Sequence, residues 1–270
     1  MIEISDLNKT FNAGTVNEVH ALKGIHLSIA SGDFVTLIGT NGSGKTSLLN
    51  AVAGSFFPDH GKIVIDEKDV TAQKDFQRAH SISRVFQSPF MGTATEMTIA
   101  ENLHIAYLRD QKSLPRIGLG KARCDTYREA VKQLEMQMED RLNNVIGSLS
   151  GGQRQALTLL MAVLRRPKVL LLDEHTAALD PKSATQVIRL TQSFVEQGNL
   201  TTLMVTHSMQ QALQVGNRTI MMHKGEIIDD IPQAEKQRLT VSDLLDKFAE
   251  LRKCERLTDQ MLEELRREYA

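Results

Sequence analysis

The N-terminal part of the chain alternates apolar and polar residues. The alternation is weak through residues 2–11 and returns at Ile25, Leu27 and Ile29, and a polar turn around residues 13–15 separates the two stretches. Successive side chains of a strand point to opposite faces of a sheet, so alternation is typical of strands with one buried face. The pattern predicts an antiparallel β layer at the start of the chain.

Longer apolar stretches and helical patterns follow this layer. Apolar runs cover residues 34–38 and 169–172, and a further buried strand is predicted over 201–205. Such runs are typical of parallel strands that are buried on both faces. From Met97 to Arg166 helical periodicity replaces the strand pattern, with helices predicted over 99–109, 121–138 and 152–166. The chain is therefore predicted to be an α/β protein with a helical lobe inserted into its core.

The composition is that of an ordinary globular protein and does not indicate which partner the protein binds. The 270 residues are 41% hydrophobic and 24% charged, and the formal net charge is -1. A balanced charge gives no overall attraction to nucleic acid or to an anionic membrane. Cys124 and Cys254 lie far apart and form no metal-binding or disulfide pattern, which is consistent with a reducing compartment. Apolar windows such as 157–164 are far shorter than the roughly 20 residues that span a bilayer.

A glycine-rich loop between the first apolar run and a helical pattern is the first candidate site. The loop reads Gly39, Thr40, Asn41, Gly42, Ser43, Gly44, Lys45, Thr46 and matches G-x-x-x-x-G-K-[ST]. Glycines allow the backbone to wrap around a phosphate chain and to direct N–H groups at it, and the helix that follows adds its positive end. Lys45 can reach the terminal phosphates and the hydroxyl of Thr46 can bind Mg²⁺. The alternative is an ordinary strand-to-helix turn, which does not require Gly-Lys-Thr.

A second candidate anion site opens the helix predicted to begin near residue 152. Ser150 is a suitable N-cap, and Gly151 and Gly152 precede Gln153. Glycine costs about 1 kcal/mol of helix propensity relative to alanine, so a plain capped helix would not need two of them in its first turn. We therefore interpret Ser150–Gln153 as a segment that presents backbone N–H groups to an anion.

Carboxylates and a histidine are predicted at the ends of two buried strands. Asp173 and Glu174 follow the apolar run 169–172, and Thr206 and His207 follow 201–205. Ligand chemistry in parallel sheets gathers at the carboxyl ends of the strands. Asp173 is suited to hold Mg²⁺, Glu174 to orient or deprotonate water, and His207 to lie beside a terminal phosphate.

Two further side chains are candidates with open alternatives. Gln87 stands at a strand end shortly before Pro89, where its carbonyl oxygen could meet a metal or a water. Phe11 lies before a turn and is predicted either to stack on a nucleobase or to be buried.

Together these motifs resemble the ATP-binding subunits of ABC transporters. The resemblance rests on GTNGSGKT, Gln87, LSGGQ, VLLLDE, Ala178-Leu179-Asp180 and Thr206-His207, in this order, and it covers about residues 1–230. It implies a P-loop NTPase core with an N-terminal antiparallel β subdomain and an inserted helical subdomain. The core is predicted over 1–87 and 167–232, the helical lobe over about 88–166, and a C-terminal helical extension over 233–270.

The resemblance also implies a role for each candidate. Glu174 is the catalytic carboxylate, His207 the switch histidine, Asp180 the D-loop aspartate and Gln87 the Q-loop glutamine, and Lys45 also serves catalysis. Thr46, Gln87 and Asp173 are the implied Mg²⁺ ligands. The implied ATP-binding residues are Phe11, Gly39, Thr40, Asn41, Gly42, Ser43, Gly44, Lys45, Thr46, Ser47 and Gln87. Tyrosine is commoner than phenylalanine in the role of Phe11, and proline commonly stands where this chain has His175.

The implied partners are a second copy of the chain, membrane permease subunits and an extracytoplasmic substrate-binding protein, with no nucleic acid. In the family, ATP lies between the phosphate loop of one copy, which is the glycine-rich loop of residues 39–46, and the signature residues of the other, Ser150, Gly151, Gly152 and Gln153. The implied location is the cytoplasmic face of the membrane. The alternative is a soluble ABC ATPase of an assembly machine, such as iron–sulfur cluster assembly. A DNA-repair or translation role is disfavoured, since no basic stripe or long coiled coil stands out.

Two segments outside the nucleotide motifs complete the sequence predictions. Residues 88–103 resemble the corresponding segment of bacterial import ATPases for amino-acid-like solutes. Phe90 and Met91 are predicted to help form an apolar socket for the permease, and the alternative is that both pack inside the helical lobe. Beyond Pro232, apolar residues at helical spacing predict two short helices that cover the core, pair across a dimer or bind a partner.

Overall fold

The computed structural model describes residues 1–109 and 119–248, which build two sheets and the helices around them. The strands are β1 Ile2–Phe11, β2 Val19–Ile29, β3 Phe34–Gly39, β4 His60–Ile65, β5 Lys68–Asp69, β6 Ile82–Val85, β7 Val169–Asp173, β8 Thr201–Val205, β9 Arg218–His223 and β10 Glu226–Pro232. The helices are α1 Lys45–Ala53, α2 Asp75–Arg78, α3 Ile99–Leu108, α4 Lys121–Lys132, α5 Gly151–Val163, α6 Pro181–Gly198, α7 Met209–Gln214, α8 Gln233–Lys236 and α9 241–248.

One sheet is antiparallel and the other is mainly parallel. The first has the strand order β2-β1-β4-β5, and the second has the order β10-β9-β3-β8-β7-β6. Within the second sheet, β6, β7, β8, β3 and β9 run parallel and β10 pairs antiparallel with β9. The α/β class and the N-terminal antiparallel layer predicted from the sequence are confirmed.

Apolar side chains from both sheets and from α1 form one core. Ile2 and Leu7 of β1 and Leu48 and Leu49 of α1 are all fully buried there. The strands β7 and β8 are buried along their whole length, as expected for parallel strands with both faces covered. This packing fixes α1, and with it the loop that precedes the helix, against the parallel sheet.

The helical region departs from the sequence prediction at the end of α4. We predicted a helix over 121–138, but the helix ends at Lys132. Glu135 and Gln137 adopt left-handed φ values of 53° and 56°, which a helix does not accommodate. Leu134 and Met138 are nevertheless fully buried, so their apolar spacing reflects packing of a turn rather than a continuing helix.

The predicted hairpin near the end of the core is present. Lys224 and Gly225 join β9 to β10 and have φ values of 46° and 88°. Two positive φ values in a two-residue loop are the requirement of a type I′ turn.

The described part of the C-terminal segment covers the core. Leu244 and Phe248 of α9 are buried beside Ile38 of β3, Ala212 of α7 and Met221 of β9. The sequence left open whether this segment covers the core, pairs across a dimer or binds a partner. The helix α9 covers the core of its own chain. The second predicted helix, around Leu257, Met261, Leu262 and Leu265, lies outside the described residues. The boundaries proposed for the core, the lobe and the extension remain predictions.

No helix in residues 1–109 and 119–248 is long and apolar enough to cross a bilayer.

We expect Leu244→Ala to lower the free energy of unfolding by about 2–5 kcal/mol, because it deletes a buried side chain and leaves a cavity. Leu245 is a matched control, since it is on the same helix but is 51% exposed, and its replacement by alanine should change stability by less than about 0.5 kcal/mol. Urea denaturation of both variants measures the difference. Equal losses would show that α9 does not pack on the core as described.

Candidate nucleotide-binding and active site

The glycine-rich loop connects β3 to α1 and leaves the start of the helix open. Gly44 is the N-cap of α1 with φ 98°, and no side chain caps the helix. A Cβ atom on Gly44 would lie 2.5 Å from the carbonyl oxygen of Ala21, so only glycine fits there. The cleft at the loop has a volume of about 300 Å³ and is lined by Phe11, Val19, Ala21, Gly42, Ser43, Gly44, Lys45, Thr46 and Ser47. Open N–H groups at a positive helix end are suited to a phosphate chain.

Lys45 is buried inside the loop. Its Nζ donates hydrogen bonds to the carbonyl oxygens of Gly39 and Thr40, both at 3.0 Å. Burial lowers the pKa of Lys45, and the nearby carboxylates of Glu174 and Asp173 oppose that shift. The Lys45 ammonium therefore interacts with carbonyl oxygens of the loop and with the nearby negative charges of Glu174 and Asp173.

The register of the parallel sheet brings the predicted catalytic residues to one edge. Leu37 of β3 pairs with Val205 of β8, and Val205 in turn pairs with Asp173 of β7. The residues that follow these strand ends therefore meet. His207 Nε2 lies 2.5 Å from Glu174 Oε1, a direct contact between the predicted switch histidine and the predicted catalytic carboxylate.

Glu174 is held in an unusual backbone conformation. Its φ is 47°, in the left-handed region, and its N–H donates to the carbonyl of Val205 at 3.0 Å. Its side chain is 11% exposed, whereas that of His207 is 47% exposed. A carboxylate in this position is reachable from the edge of the sheet but is fixed by the neighbouring strand.

Asp173 has a partner that the sequence analysis missed. Its Oδ2 accepts a hydrogen bond from Arg84 Nη2 at 2.7 Å, and both side chains are largely buried. Arg84 lies in β6, whose other residues, Ile82, Ser83 and Val85, are uncharged and buried. A single basic residue inside such a strand, just before Gln87, was the signal that could have identified it.

The residues at this edge fit a magnesium ion that a nucleotide brings with it. In the described part of the chain no three His, Cys, Asp or Glu side chains gather into a metal site. Mg²⁺ in phosphate-binding proteins usually takes one or two protein ligands together with phosphate oxygens and waters. Asp173 and the hydroxyl of Thr46 supply such oxygen ligands. Gln87 is exposed and follows the end of β6 by two residues, so it lies at the same edge as Asp173 of the neighbouring β7.

The segment from Ser150 to Gln153 begins α5 with a complete capping box. Gln153 N donates to Ser150 Oγ at 3.3 Å, and Ser150 N donates to Gln153 Oε1 at 3.2 Å. Gly151 is exposed, but Gly152 is buried, and a Cβ atom there would lie 2.6 Å from Ser183 Oγ of α6. Close packing therefore explains Gly152, a reason that the sequence analysis overlooked.

Within the described residues, none of residues 150–153 lines the cleft at the phosphate loop. The two predicted anion sites of this chain are thus not parts of one pocket. The helix α5 does contact the predicted Q-loop, because Gln155 Nε2 donates to the carbonyl of Phe86 at 3.3 Å.

Asp180 and Phe11 each contact residues close to them in the structure. Asp180 is the N-cap of α6 and accepts a hydrogen bond from Ser183 N at 3.1 Å, and bonds from Ser183 lower its pKa. Phe11 lines the cleft beside the loop and makes an edge contact with Phe56 at 5.2 Å between ring centroids. Phe11 is therefore half-buried, with a neighbour on one side and the cleft on the other.

His175, which stands where proline is common, is buried in the core. Its Nε2 lies 3.0 Å from Thr191 Oγ1, and that hydroxyl donates its proton to the carbonyl of Val187 at 2.8 Å. His175 Nε2 must therefore be the donor of the first bond, which leaves Nδ1 as a buried acceptor without a partner among the described residues. Burial lowers the pKa of His175 to about 4, so this imidazole is neutral at pH 7.

Comparison with known proteins identifies the family. A sequence model of the family described as ABC transporter matches residues 22–177. The chain therefore belongs to the ABC transporter family, and it is an ATP-hydrolysing subunit of such a transporter. It is 41% identical over 248 residues to the Tyrosine transport ATP-binding protein of Clostridioides difficile (strain R20291), an alignment that covers 92% of this chain and 98% of the relative. It is also 32% identical over 235 residues to the Methionine import ATP-binding protein MetN 1 of Bacillus thuringiensis subsp. konkukian (strain 97-27), covering 85% and 66%.

Solved structures of ATP-binding cassettes share the fold. The dimeric structure of MJ0796 in a post-hydrolysis state with ADP and Pi is 28% identical, with a TM-score of 0.73, and the match covers 86% of this chain and 99% of that one. The ADP conformation of MJ1267 has a TM-score of 0.74 at 25% identity, covering 88% and 93%.

We expect the stability of the protein to fall on acidification because of His175. Between pH 6.5 and about 4 the unfolded chain binds a proton on this group and the folded chain does not, so stability decreases as pH falls through that window. The loss between pH 7 and pH 5 is about 2 kcal/mol at about 1.4 kcal/mol per pH unit.

His175→Met is the matched control, since it is neutral and leaves Thr191 bonded to Val187. Urea denaturation at pH 7 and pH 5 gives the difference between the two proteins. A variant with the same pH dependence as the wild type would show that His175 is not buried in its neutral form.

Proposed function

We propose that this subunit drives the import of an amino-acid-like solute, in the class of tyrosine, through separate permease subunits. The observation that carries the proposal is the 41% identity to a tyrosine transport ATP-binding protein over 98% of that relative's length. Other similar proteins carry names for methionine import and for sulfate/thiosulfate import. The named relatives are transport subunits, which favours transport over the alternative of an assembly ATPase.

The proposed working unit is a head-to-tail dimer of two copies of this chain. The phosphate loop of one copy and residues 150–153 of the other would enclose each ATP. Two observations support this arrangement: residues 150–153 do not line the cleft of their own chain, and the related MJ0796 cassette forms dimers. The Gly151 N–H at the start of α5 would face the γ-phosphate from across the interface, and Asp180 would lie at the same junction.

Hydrolysis is proposed to use Glu174 as the base and His207 as its positioning partner. The contact between the two side chains orients the carboxylate at the edge of the sheet where the phosphate loop leaves β3. Lys45 would neutralise charge on the β- and γ-phosphates, and Mg²⁺ held by Thr46 and Asp173 would do the same for the leaving group. Gln87 would sense the γ-phosphate and transmit its presence to α5 through the adjacent contact of Phe86 with Gln155.

Phe90 and Met91 are proposed to form part of the permease docking surface at the cytoplasmic face of the membrane. Phe90 is 63% exposed and Met91 is 70% exposed, which argues against the alternative that both pack inside the helical lobe. The centroid of the Phe90 ring lies 4.2 Å from the guanidinium carbon of Arg154, a buried residue of α5. A partner that contacts Phe90 would therefore act on α5, the helix that begins with residues 151–153.

The experiment that tests the ATPase mechanism replaces Glu174 by glutamine. The amide preserves the shape but loses the base, so we expect turnover to fall by about 10²–10⁴-fold while ATP binding is retained. With ATP the variant should elute as a dimer on size-exclusion chromatography. Lys45→Ala is the contrasting variant, since it should weaken ATP binding itself. Wild-type turnover in Glu174→Gln would contradict the assignment of the base.

The docking surface is tested with Phe90→Ala and Met91→Ala. Basal ATPase activity of the isolated subunit should be unchanged, whereas stimulation by substrate in the reconstituted transporter should be lost. Phe76→Ala serves as the control, because Phe76 is an exposed phenylalanine like Phe90, at 70% against 63%, but belongs to α2. Equal loss of basal and stimulated activity, with a lowered melting temperature, would instead show that Phe90 and Met91 support the fold.

A further inference from the structure

Arg84 joins two elements that the proposed magnesium site requires. Its Nη2 donates to Asp173 Oδ2 at 2.7 Å, and its Nη1 donates to Asn50 Oδ1 of α1 at 2.6 Å. The guanidinium lies 4.7 Å from the ring of Phe86, and its Nε is buried without a partner among the described residues. One planar group thus connects the end of β7 to the phosphate-loop helix.

The position of Asn50 shows which face of α1 Arg84 contacts. Asn50 follows Thr46 by four residues in α1, so the two side chains lie on the same face of the helix, one turn apart. Arg84 therefore holds the carboxylate of Asp173 toward the helix face that presents the hydroxyl of Thr46. Asp173 and Thr46 are two of the three side chains predicted to bind Mg²⁺, and Gln87 is the third.

The arginine contacts only one oxygen of the carboxylate. Asp173 Oδ1 makes no hydrogen bond with any residue in the described ranges, so it stays available as a ligand. Partners that orient metal ligands commonly set metal affinity, and losing one typically costs about 10–100-fold. A buried guanidinium with two fixed contacts is well suited to that role, because its planar fork leaves little freedom to either partner.

We propose that Arg84 is a positioning residue for the metal site, which sets the affinity for the metal–nucleotide complex by fixing Asp173 relative to α1. The inference rests on the proposed function, since it needs Asp173 to bind the metal. A competing effect has the opposite sign: a positive charge near the site repels a divalent cation, so removing it would strengthen metal binding.

The test compares nucleotide affinity with and without metal by isothermal titration calorimetry. The probe is adenylyl imidodiphosphate, titrated in Mn²⁺ and again in EDTA, and the ratio of the two affinities is the metal-dependent gain. We expect Arg84→Met to reduce this gain by about 10–100-fold while the affinity in EDTA stays at the wild-type value. Asn50→Ala leaves the pair with Asp173 intact and should reduce the gain by less.

Arg78→Met is the matched control, because Arg78 is also buried and also contacts α1, through the carbonyls of Ala51 and Val52. It should leave the metal-dependent gain unchanged. If Arg84→Met does not fold, Arg84→Lys keeps the charge but cannot make both contacts, and the gain should still fall.

Several results would overturn the inference. An unchanged or larger gain in Arg84→Met would show that the arginine does not position the ligand, and equal losses in Mn²⁺ and in EDTA would show a merely structural role. Asp173→Asn separates the proposed function from the inference. If that variant keeps the full gain, the assignment of Asp173 to the metal is wrong; if it loses the gain and Arg84→Met does not, only the role of Arg84 is wrong.

Discussion

The parallel hydrogen-bond ladder of β3, β8 and β7 is the constraint on which the site depends. Leu37, Val205 and Asp173 lie in register across these strands, so the chain segments that leave them emerge at one edge. A shift of one residue would turn each strand's side chains to the other face. Because β7 and β8 are packed on both faces, such a shift would disrupt the packing of the core on each side. The observed register brings Glu174 into contact with His207.

Polar contacts tie the surrounding elements to this edge. Arg84 connects Asp173 to α1, and Gln155 connects α5 to the segment that contains Gln87. The guanidinium of Arg84 also lies 4.7 Å from the ring of Phe86, so contacts run without a break from α1 and Asp173 to α5. The exposed Phe90, which packs on Arg154 of α5, extends this chain of contacts to the surface.

Sequence patterns predicted the fold and the candidate residues because both depend on local signals. Apolar runs of strand length and the glycine loop were sufficient for β3, β7, β8 and the start of α1. Side-chain partnerships were not predictable, since they depend on which elements pack together. The ion pair of Arg84, the burial of His175 and the packing reason for Gly152 are of this kind. The helix predicted over 121–138 was too long, because Leu134 and Met138 keep helical spacing although they lie in a turn after α4.

We propose that the site is completed by a second copy of the chain, and cross-linking between two labelled chains tests this most directly. One chain carries Asn41→Cys and the other Ser150→Cys, both at exposed positions, with Cys124 and Cys254 replaced by serine. With ATP and a short bismaleimide, we expect a cross-linked dimer only when both chains are present. Cross-links between identical chains, or none in the mixture, would contradict the head-to-tail arrangement.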